Sequence, residues 1–210
     1  MQTTIFLNGN IPRERIVEKF NGQERFIIAA DGGANYLKKK NIYPDIIIGD
    51  LDSISKSTLN YFIKKKVTIE KIEEQESTDF EKCLKFCLRK KLNDIVVLGA
   101  TSMRPDHTLN NFSVLKRYSD RLRIKLVEEE FEIFFIKRKM SFKYKPDQTV
   151  SFLGLPKADN VTTKGLKYLL LNEDLEFGIR EGTLNKSVSD SVSISYDNGS
   201  ILLFIKHFIK

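Results

Sequence analysis

The stretch RFIIAADGGANYLKKKNIYPDIIIGDLDS, residues 25–53, contains the pattern that decides the fold. It begins with a mostly apolar run at 25–30, continues through a glycine turn and a lysine-rich segment, and reaches a second mostly apolar run at 45–48. Short apolar runs bounded by turn residues are typical of buried strands. Strands that are apolar almost throughout need cover on both faces, so this stretch predicts a strand–helix–strand unit of a parallel sheet.

The same alternation continues on both sides of this unit. Further strands are predicted at residues 4–7, 67–72, 94–98 and 123–127. Apolar residues within 80–88 recur at helical spacing, and Thr78 with Glu81 forms the sequence signature of a capping box. Pro105 suits the first position of another helix. We therefore expect residues 1–129 to form an α/β domain with a mostly parallel sheet.

The pattern changes after about Glu129, where no helical periodicity remains. Short strands are predicted at residues 131–136, 150–153, 161–163, 188–195 and 201–205. The turn sequence Asp197-Asn198-Gly199 predicts a hairpin between the last two of these strands. Residues 130–210 are therefore expected to form a second domain, an all-β sandwich.

Composition narrows the class of protein. The chain has 210 residues with ordinary globular composition, and its apolar runs are far shorter than a membrane span. It also lacks the features of a secretory signal at its N-terminus, so we expect a cytoplasmic protein with no membrane partner. The net charge of +7 favours anionic partners, although solvated lysines at helix ends explain most of it. The two cysteines, Cys83 and Cys87, fit core packing better than a disulfide or a metal site.

Acidic residues follow several predicted strands, at the edge where open parallel sheets bind ligands. In chain order they are Asp31, Asp50, Asp52, Asp79 and Asp106. Converging carboxylates repel one another unless a cation lies between them. Mg²⁺ binds one or two carboxylates and keeps other coordination positions open for water and substrate phosphates. If the segment around residue 51 is extended, Asp50 and Asp52 point to the same side. This arrangement indicates a divalent metal site.

Glycines and basic residues near the same edge suggest phosphate binding. Gly32 and Gly33 stand at a strand-to-helix turn, where backbone N–H groups can approach an anion. Lys82 and Arg104 are placed to contact phosphate oxygens. Together with the carboxylates, these residues indicate metal-assisted phosphoryl transfer. The chain lacks the Walker, dinucleotide-binding, serine-hydrolase and zinc motifs, so those enzyme classes are not indicated.

Each residue also has a plainer interpretation. A single aspartate after a strand is more often a turn former or a helix cap, and Asp79 could merely complement a helix dipole. His107 could be structural, His207 fits the surface or packing, and Tyr168 is most simply a core residue. The convergence of several loops is what favours a functional site.

Taken in order, these motifs resemble the thiamine pyrophosphokinase family. The matching segments are AADGGANYL from Ala29, PDIIIGDLDSI from Pro44, QESTDFEKCL from Gln75, RPDHTLNN from Arg104, KGLKYLL from Lys164 and GTLNKS from Gly182. The resemblance spans nearly the whole chain. It implies an α/β nucleotide domain, a β-sandwich that binds thiamine, and a homodimer with its active site at the subunit interface. Nucleic acid is not among the implied partners.

The resemblance also implies residue roles. The implied catalytic residues are Asp31, Asp50, Asp52 and Asp79, of which Asp50, Asp52 and Asp79 would hold Mg²⁺. The implied substrate contacts are Gln75, Thr78, Lys82, Arg104, Asp106, His107, Tyr168, Leu184 and Asn185. The implied nucleotide contacts are Gly32, Gly33, Asn35 and Gly99. Leu184 departs from the family pattern, because many members carry a serine there.

The resemblance implies transfer of the pyrophosphoryl group of ATP to the hydroxyl of thiamine, giving thiamine diphosphate and AMP. Two other interpretations stay open at this point. One keeps the site but changes the acceptor to another heterocyclic alcohol, such as a pterin. The other is a non-catalytic binder of thiamine diphosphate or nucleic acid, which the basic charge motivates. The acidic cluster argues against a nucleic-acid binder, since carboxylates repel a polyanion.

Overall fold

A computed structural model describes residues 1–20, 25–102 and 104–209 of the chain. Residues Met1–Glu129 form one compact unit and Glu130–Phe208 form a second. Among the described residues, no helix is both long enough and apolar enough to cross a membrane.

The first unit alternates strands and helices. Its strands are β1 (Gln2–Phe6), β2 (Arg25–Ala30), β3 (Ile46–Gly49), β4 (Thr68–Lys71), β5 (Asp94–Leu98) and β6 (Arg123–Val127). Its helices are α1 (Glu14–Phe20), α2 (Gly33–Lys39), α3 (Lys56–Lys64), α4 (Asp79–Lys90) and α5 (Pro105–Tyr118). The strands run in the order β4-β3-β2-β1-β5-β6, and every pair is parallel. The predicted α/β architecture is confirmed.

The strand order indicates at which edge of the sheet a ligand is expected to bind. The chain starts at β1, adds strands on one side as far as β4, and then returns to place β5 on the other side of β1. Ligands in such sheets bind beyond the carboxyl ends of the strands, near the point where the order reverses. The strands β1, β3 and β5 are almost wholly buried, and both Cys83 and Cys87 are buried free thiols on α4. The core-packing interpretation of the cysteines is confirmed.

The start of α4 is capped from one side only. The Thr78 hydroxyl accepts a hydrogen bond from the Glu81 backbone N–H at 3.3 Å, as the capping-box signature predicts. The Glu81 side chain does not complete the box, because its carboxylate bonds to Arg117 and Tyr118 on α5. The part of the predicted capping box that involves the Glu81 side chain is therefore wrong. That side chain links α4 to α5 instead.

The second unit is all-β, as predicted. Its strands are β7 (Phe131–Phe135), β8 (Lys139–Lys143), β9 (Thr149–Lys164), β10 (Glu173–Glu176), β11 (Gly182–Lys186), β12 (Ser191–Ser195) and β13 (Asn198–Lys206). The long strand β9 pairs with β10, β11 and β13 in one sheet, and its last residues pair with β12 in the other. β13 also pairs with β7, and β12 with β8; all of these pairs are antiparallel. Val150, Phe152, Ile194 and Leu203 are fully buried members of the core of this sandwich.

Three predictions for the second unit are wrong in detail. The two short strands predicted at 150–153 and 161–163 are parts of the single strand β9, which passes from one sheet to the other. The turn at Asp197-Asn198-Gly199 does not close a hairpin, because β12 and β13 pair with β9 in different sheets. The strand predicted from residue 188 begins only at Ser191. Local turn chemistry could not reveal this change of sheet.

Candidate active site

A cavity of about 450 Å³ opens at the carboxyl ends of the parallel strands within the first unit. Its walls come from the loops after β1, β3, β4 and β5 and from the first turns of α4 and α5. Residues expected from the sequence that line it are Asp50, Asp52, Gln75, Thr78, Asp79, Lys82, Gly99 and His107. Separate segments of the chain thus meet at one concave site.

Three carboxylates lie together in this region. One oxygen from each of Asp31, Asp50 and Asp79 falls within 4.8 Å of the others. Asp31 is buried, whereas Asp50 and Asp79 are half-buried. The Lys82 ammonium lies 3.4 Å from Asp79 Oδ1, and Lys82 is only 3% exposed. A buried lysine facing several carboxylates gives the site a cation that can attract phosphate oxygens.

The environments of the three carboxylates differ. Burial raises the pKa of Asp31 to about 6, while N–H groups of Ser53 and Ile54 oppose that shift. Burial also raises the pKa of Asp79, with Lys82 acting in the opposite direction. The hydrogen bond from Gln75 lowers the pKa of Asp50. Holding these groups ionised together costs free energy, and a divalent cation between them would offset that cost.

Asp52 takes a position different from the one expected. Leu51 has φ of 70°, so the chain turns between Asp50 and Asp52 instead of extending. The expectation that the two aspartates share one side of an extended segment is therefore not met. Asp52 lines the cavity but accepts a hydrogen bond from the Ser53 hydroxyl at 2.8 Å, and Asp31 takes the third place in the close cluster.

Gln75 and Thr78 lie on the loop and helix start that follow β4. The Gln75 side-chain amide donates to Asp50 Oδ2 at 3.1 Å, which ties this loop to the acidic cluster. Thr78 lines the cavity and caps α4, the helix that carries Asp79 and Lys82. Both residues are therefore placed where a substrate in the cavity would meet them.

The expected nucleotide-side residues divide into two groups. Gly99 lines the cavity, with φ of +74°. Gly32 and Gly33 are buried, and a Cβ on Gly33 would overlap the carbonyl oxygen of Phe6 in β1. The Asn35 amide bonds to the backbone of Ser53 and Ser55. Gly32, Gly33 and Asn35 are not among the residues that line the cavity, and they contact other parts of the protein.

The RPDH segment places one residue on the cavity wall. His107 lines the cavity, but Arg104 and Asp106 are not among its lining residues. Arg104 instead forms an exposed ion pair with Asp106 at 2.6 Å. Lys82 and Arg104 are the two basic residues expected to contact phosphate. In this conformation Lys82 faces the carboxylates and Arg104 does not.

The expected thiamine-side residues lie in the second unit. Tyr168 is 62% exposed, so its interpretation as a core residue is wrong. Leu184 is 78% exposed and has φ of 57°. Asn185 is buried, and its amide both donates to the Tyr168 carbonyl at 2.6 Å and accepts from the Tyr168 N–H at 3.1 Å. Asn185 thereby fixes the segment that presents the Tyr168 ring.

The sequence interpretation missed neutral polar residues that also line the cavity. They are Asn8, Ser77, Ser102, Asn110 and Asn111. Asn110 and Asn111 stand three and four positions after His107, so helical spacing could have found them. Asn8 follows β1, and residues 7–12 carry no charged side chain to draw attention.

The chain is similar to known proteins along nearly its whole length. Residues 17–127 match the family model described as thiamin pyrophosphokinase, catalytic domain, and residues 136–201 match the thiamin pyrophosphokinase, vitamin B1 binding domain. Thiamine pyrophosphokinase 1 of Oryza sativa is 28% identical, over 94% of this chain and 84% of the relative. Thiamine pyrophosphokinase 2 of Arabidopsis thaliana is 29% identical, over 92% of this chain and 82% of the relative.

Solved structures agree on the fold. The crystal structure of thiamin pyrophosphokinase from Geobacillus thermodenitrificans superposes with a TM-score of 0.86 at 21% identity, covering 98% of this chain and 97% of that one. The family matches extend over both units, and they include the segments that carry the acidic cluster, Lys82 and His107. The chain therefore belongs to the thiamine pyrophosphokinase family.

Proposed function

We propose that this protein is an ATP- and Mg²⁺-dependent thiamine pyrophosphokinase. It transfers the pyrophosphoryl group of ATP to the hydroxyl of thiamine and releases AMP. The observation that carries the proposal is the cluster of Asp31, Asp50 and Asp79 beside the buried Lys82, in a cavity of about 450 Å³. A cavity of that size accommodates ligands as large as a nucleotide.

The acidic cluster fits a divalent cation. The carboxylates are close enough to share one ion, and the raised pKa values of Asp31 and Asp79 reflect burial that a bound cation would offset. Asp50 and Asp79 would hold Mg²⁺, with Asp52 at the cavity wall as a further ligand. When bound, Mg²⁺ would neutralise charge on the phosphate oxygens of ATP.

The protein's own residues position the reactants. The thiamine hydroxyl attacks the β-phosphorus; a new P–O bond forms, the bond between the β-phosphorus and the bridging oxygen of AMP breaks, and AMP leaves with that electron pair. A carboxylate of the cluster accepts the hydroxyl proton. Lys82 contributes positive charge beside Asp79, and His107 and Gln75 contact substrate from the cavity walls. Positioning and electrostatics supply the rate, with no covalent enzyme intermediate.

The second unit contributes thiamine contacts in this proposal. Exposed apolar side chains there include Tyr168, Leu169, Leu171, Phe177, Ile179 and Leu184. Large exposed apolar residues are typical of surfaces that bind a partner or a ring-shaped ligand. We infer a homodimer with its active site at the subunit interface, and light scattering on the purified chain tests that state. Two free buried thiols fit a reducing compartment, which supports a cytoplasmic location.

A direct assay tests the function. Purified protein is incubated with thiamine, ATP and MgCl₂, and the products are separated by chromatography. Thiamine diphosphate and AMP in equal amounts, abolished by EDTA, are expected. ADP with thiamine monophosphate would overturn transfer at the β-phosphorus. Failure to consume thiamine, while a pterin alcohol is consumed, would reassign the acceptor.

A further inference from the structure

Two side chains, Asp31 just before α2 and Asn35 in its first turn, hold the segment that follows Asp50 and Asp52. Both oxygens of the Asp31 carboxylate accept backbone N–H groups, from Ser53 and from Ile54, each at 3.0 Å. The Asn35 amide donates to the Ser53 carbonyl at 3.1 Å and accepts from the Ser55 N–H at 3.0 Å. Four hydrogen bonds from two side chains, one just before α2 and one in its first turn, thus fix three consecutive residues.

We call these four hydrogen bonds the clamp. The clamp acts on a segment that otherwise has little regular structure. Between the end of β3 at Gly49 and the start of α3 at Lys56, the described chain makes a turn with Leu51 at positive φ. β3 anchors the first end of the segment. Ser55 caps α3 through the Thr58 N–H, so holding Ser55 also fixes where α3 begins. The clamp therefore anchors the second end, a few residues after the two aspartates.

The geometry points away from a nucleotide contact for Asn35. Both polar atoms of its side chain already bond to backbone groups, and Asn35 does not line the cavity. Turning this amide toward a ligand in the cavity would break those two hydrogen bonds and leave backbone groups of Ser53 and Ser55 without these partners.

We propose that Asn35, acting with Asp31, is a positioning residue that sets the metal-binding conformation of the Asp50–Asp52 turn. This inference rests on the proposed function, because it concerns the cation that the acidic cluster would bind. Residues that orient metal ligands from behind typically change metal affinity when they are replaced. Asn35 is the member of the clamp to test, since Asp31 itself belongs to the cluster.

The experiment measures Mn²⁺ binding to the full chain without ATP or thiamine, by the electron paramagnetic resonance signal of free Mn²⁺. Asn35→Ala is expected to weaken Mn²⁺ binding about tenfold. It should also speed hydrogen exchange of the Ser55 amide, which loses its acceptor. Asn60→Ala, an exposed asparagine on α3, is the matched control and should bind Mn²⁺ as the wild type does.

The outcomes separate the clamp from the proposed function. Unchanged Mn²⁺ affinity in Asn35→Ala, with a wild type that binds Mn²⁺ and makes thiamine diphosphate, would overturn the clamp alone. A wild type that binds no Mn²⁺ would overturn both the metal site and the clamp. If Asn35→Ala fails to fold, the milder Asn35→Ser decides by the same two measurements, because its hydroxyl is too short to bridge Ser53 and Ser55.

Discussion

Arg117 on α5 donates hydrogen bonds to both carboxylate oxygens of Glu81 on α4, at 2.8 and 2.7 Å. The Tyr118 hydroxyl adds a third hydrogen bond to Glu81 at 3.0 Å. Glu81 is only 7% exposed, whereas Arg117 is more than half exposed. This contact joins the helix that carries Asp79 and Lys82 to the helix that carries His107.

Replacing Glu81 with alanine should therefore destabilise the first unit. Removal of the carboxylate leaves the Tyr118 hydroxyl without this acceptor and Arg117 without its ion pair. We expect the free energy of unfolding to fall by about 2 kcal/mol, less than for a fully buried pair because water reaches Arg117. Urea denaturation followed by circular dichroism measures the change. Asp120→Ala removes a highly exposed carboxylate of the ion pair with Lys116 and should change stability by less than about 0.5 kcal/mol.

Much of the first unit is predictable because each strand is a local pattern. The short, mostly apolar runs at 25–30, 94–98 and 123–127 predict β2, β5 and β6 with their observed bounds. Parallel strands need no particular turn sequence, so alternation of apolar runs and helical segments was sufficient. The second unit depends on partners distant in sequence. β9 changes sheets along its length, and no local signal marks that change.

The site is predictable in its residue types but less so in its geometry. Strand ends identified Asp50, Asp79 and Lys82 as neighbours, since the carboxyl ends of parallel strands meet. A leucine gives no sign in the sequence that it will adopt a left-handed conformation. With Leu51 in that conformation, Asp52 lines the cavity but is not one of the three carboxylates of the close cluster. The neutral asparagines of the cavity carry no charge pattern and were missed for that reason.

Asp79→Asn should preserve the fold and remove most of the activity. The amide has nearly the shape of the carboxylate, but it carries no charge to bind a cation or balance Lys82. We expect turnover in the thiamine diphosphate assay to fall at least about 100-fold, the scale of losing one electrostatic group in an active site. The melting temperature should stay within a few degrees of the wild type. Asp120→Asn, on the loop after α5, serves as the control and should keep full turnover. Full activity of Asp79→Asn would remove Asp79 from the mechanism.

Gly49 should tolerate no side chain, because two site residues occupy the space beside it. A Cβ on Gly49 would lie 2.8 Å from Asp31 Cβ and 3.1 Å from Asp79 Oδ1. Gly49→Ala would therefore push the two carboxylates apart, and we expect turnover to fall at least about tenfold, as for other small displacements in active sites. Kinetic assays and thermal melts measure the two effects. At Gly178 a Cβ would meet nothing within 4 Å, so Gly178→Ala provides a control in which backbone strain is present without overlap. Equal turnover in Gly49→Ala and the wild type would contradict the steric argument.

Glu128 should make the stability of the protein depend on pH. Burial raises the pKa of Glu128 to about 7, and its carboxylate accepts a hydrogen bond from the Thr101 hydroxyl at 2.8 Å. A carboxyl whose pKa is higher in the folded than in the unfolded state binds more protons when folded, so stability falls as pH rises from about 4.5 to about 7.

Glu128→Gln keeps an acceptor for Thr101 but cannot ionise, and so it should remove this loss. Urea denaturation at pH 5 and pH 8 compares the two proteins. At pH 8 the variant should be more stable than the wild type by on the order of 1–2 kcal/mol, and the advantage should shrink at pH 5. Glu129→Gln is the matched control, because the pKa of Glu129 is shifted in the opposite direction. The backbone N–H and the side chain of Arg13 lower the pKa of Glu129 and thus stabilise its ionised form. That variant should gain nothing at pH 8. A Glu128→Gln advantage that is equal at both pH values would show that the change in stability comes from packing and not from ionisation.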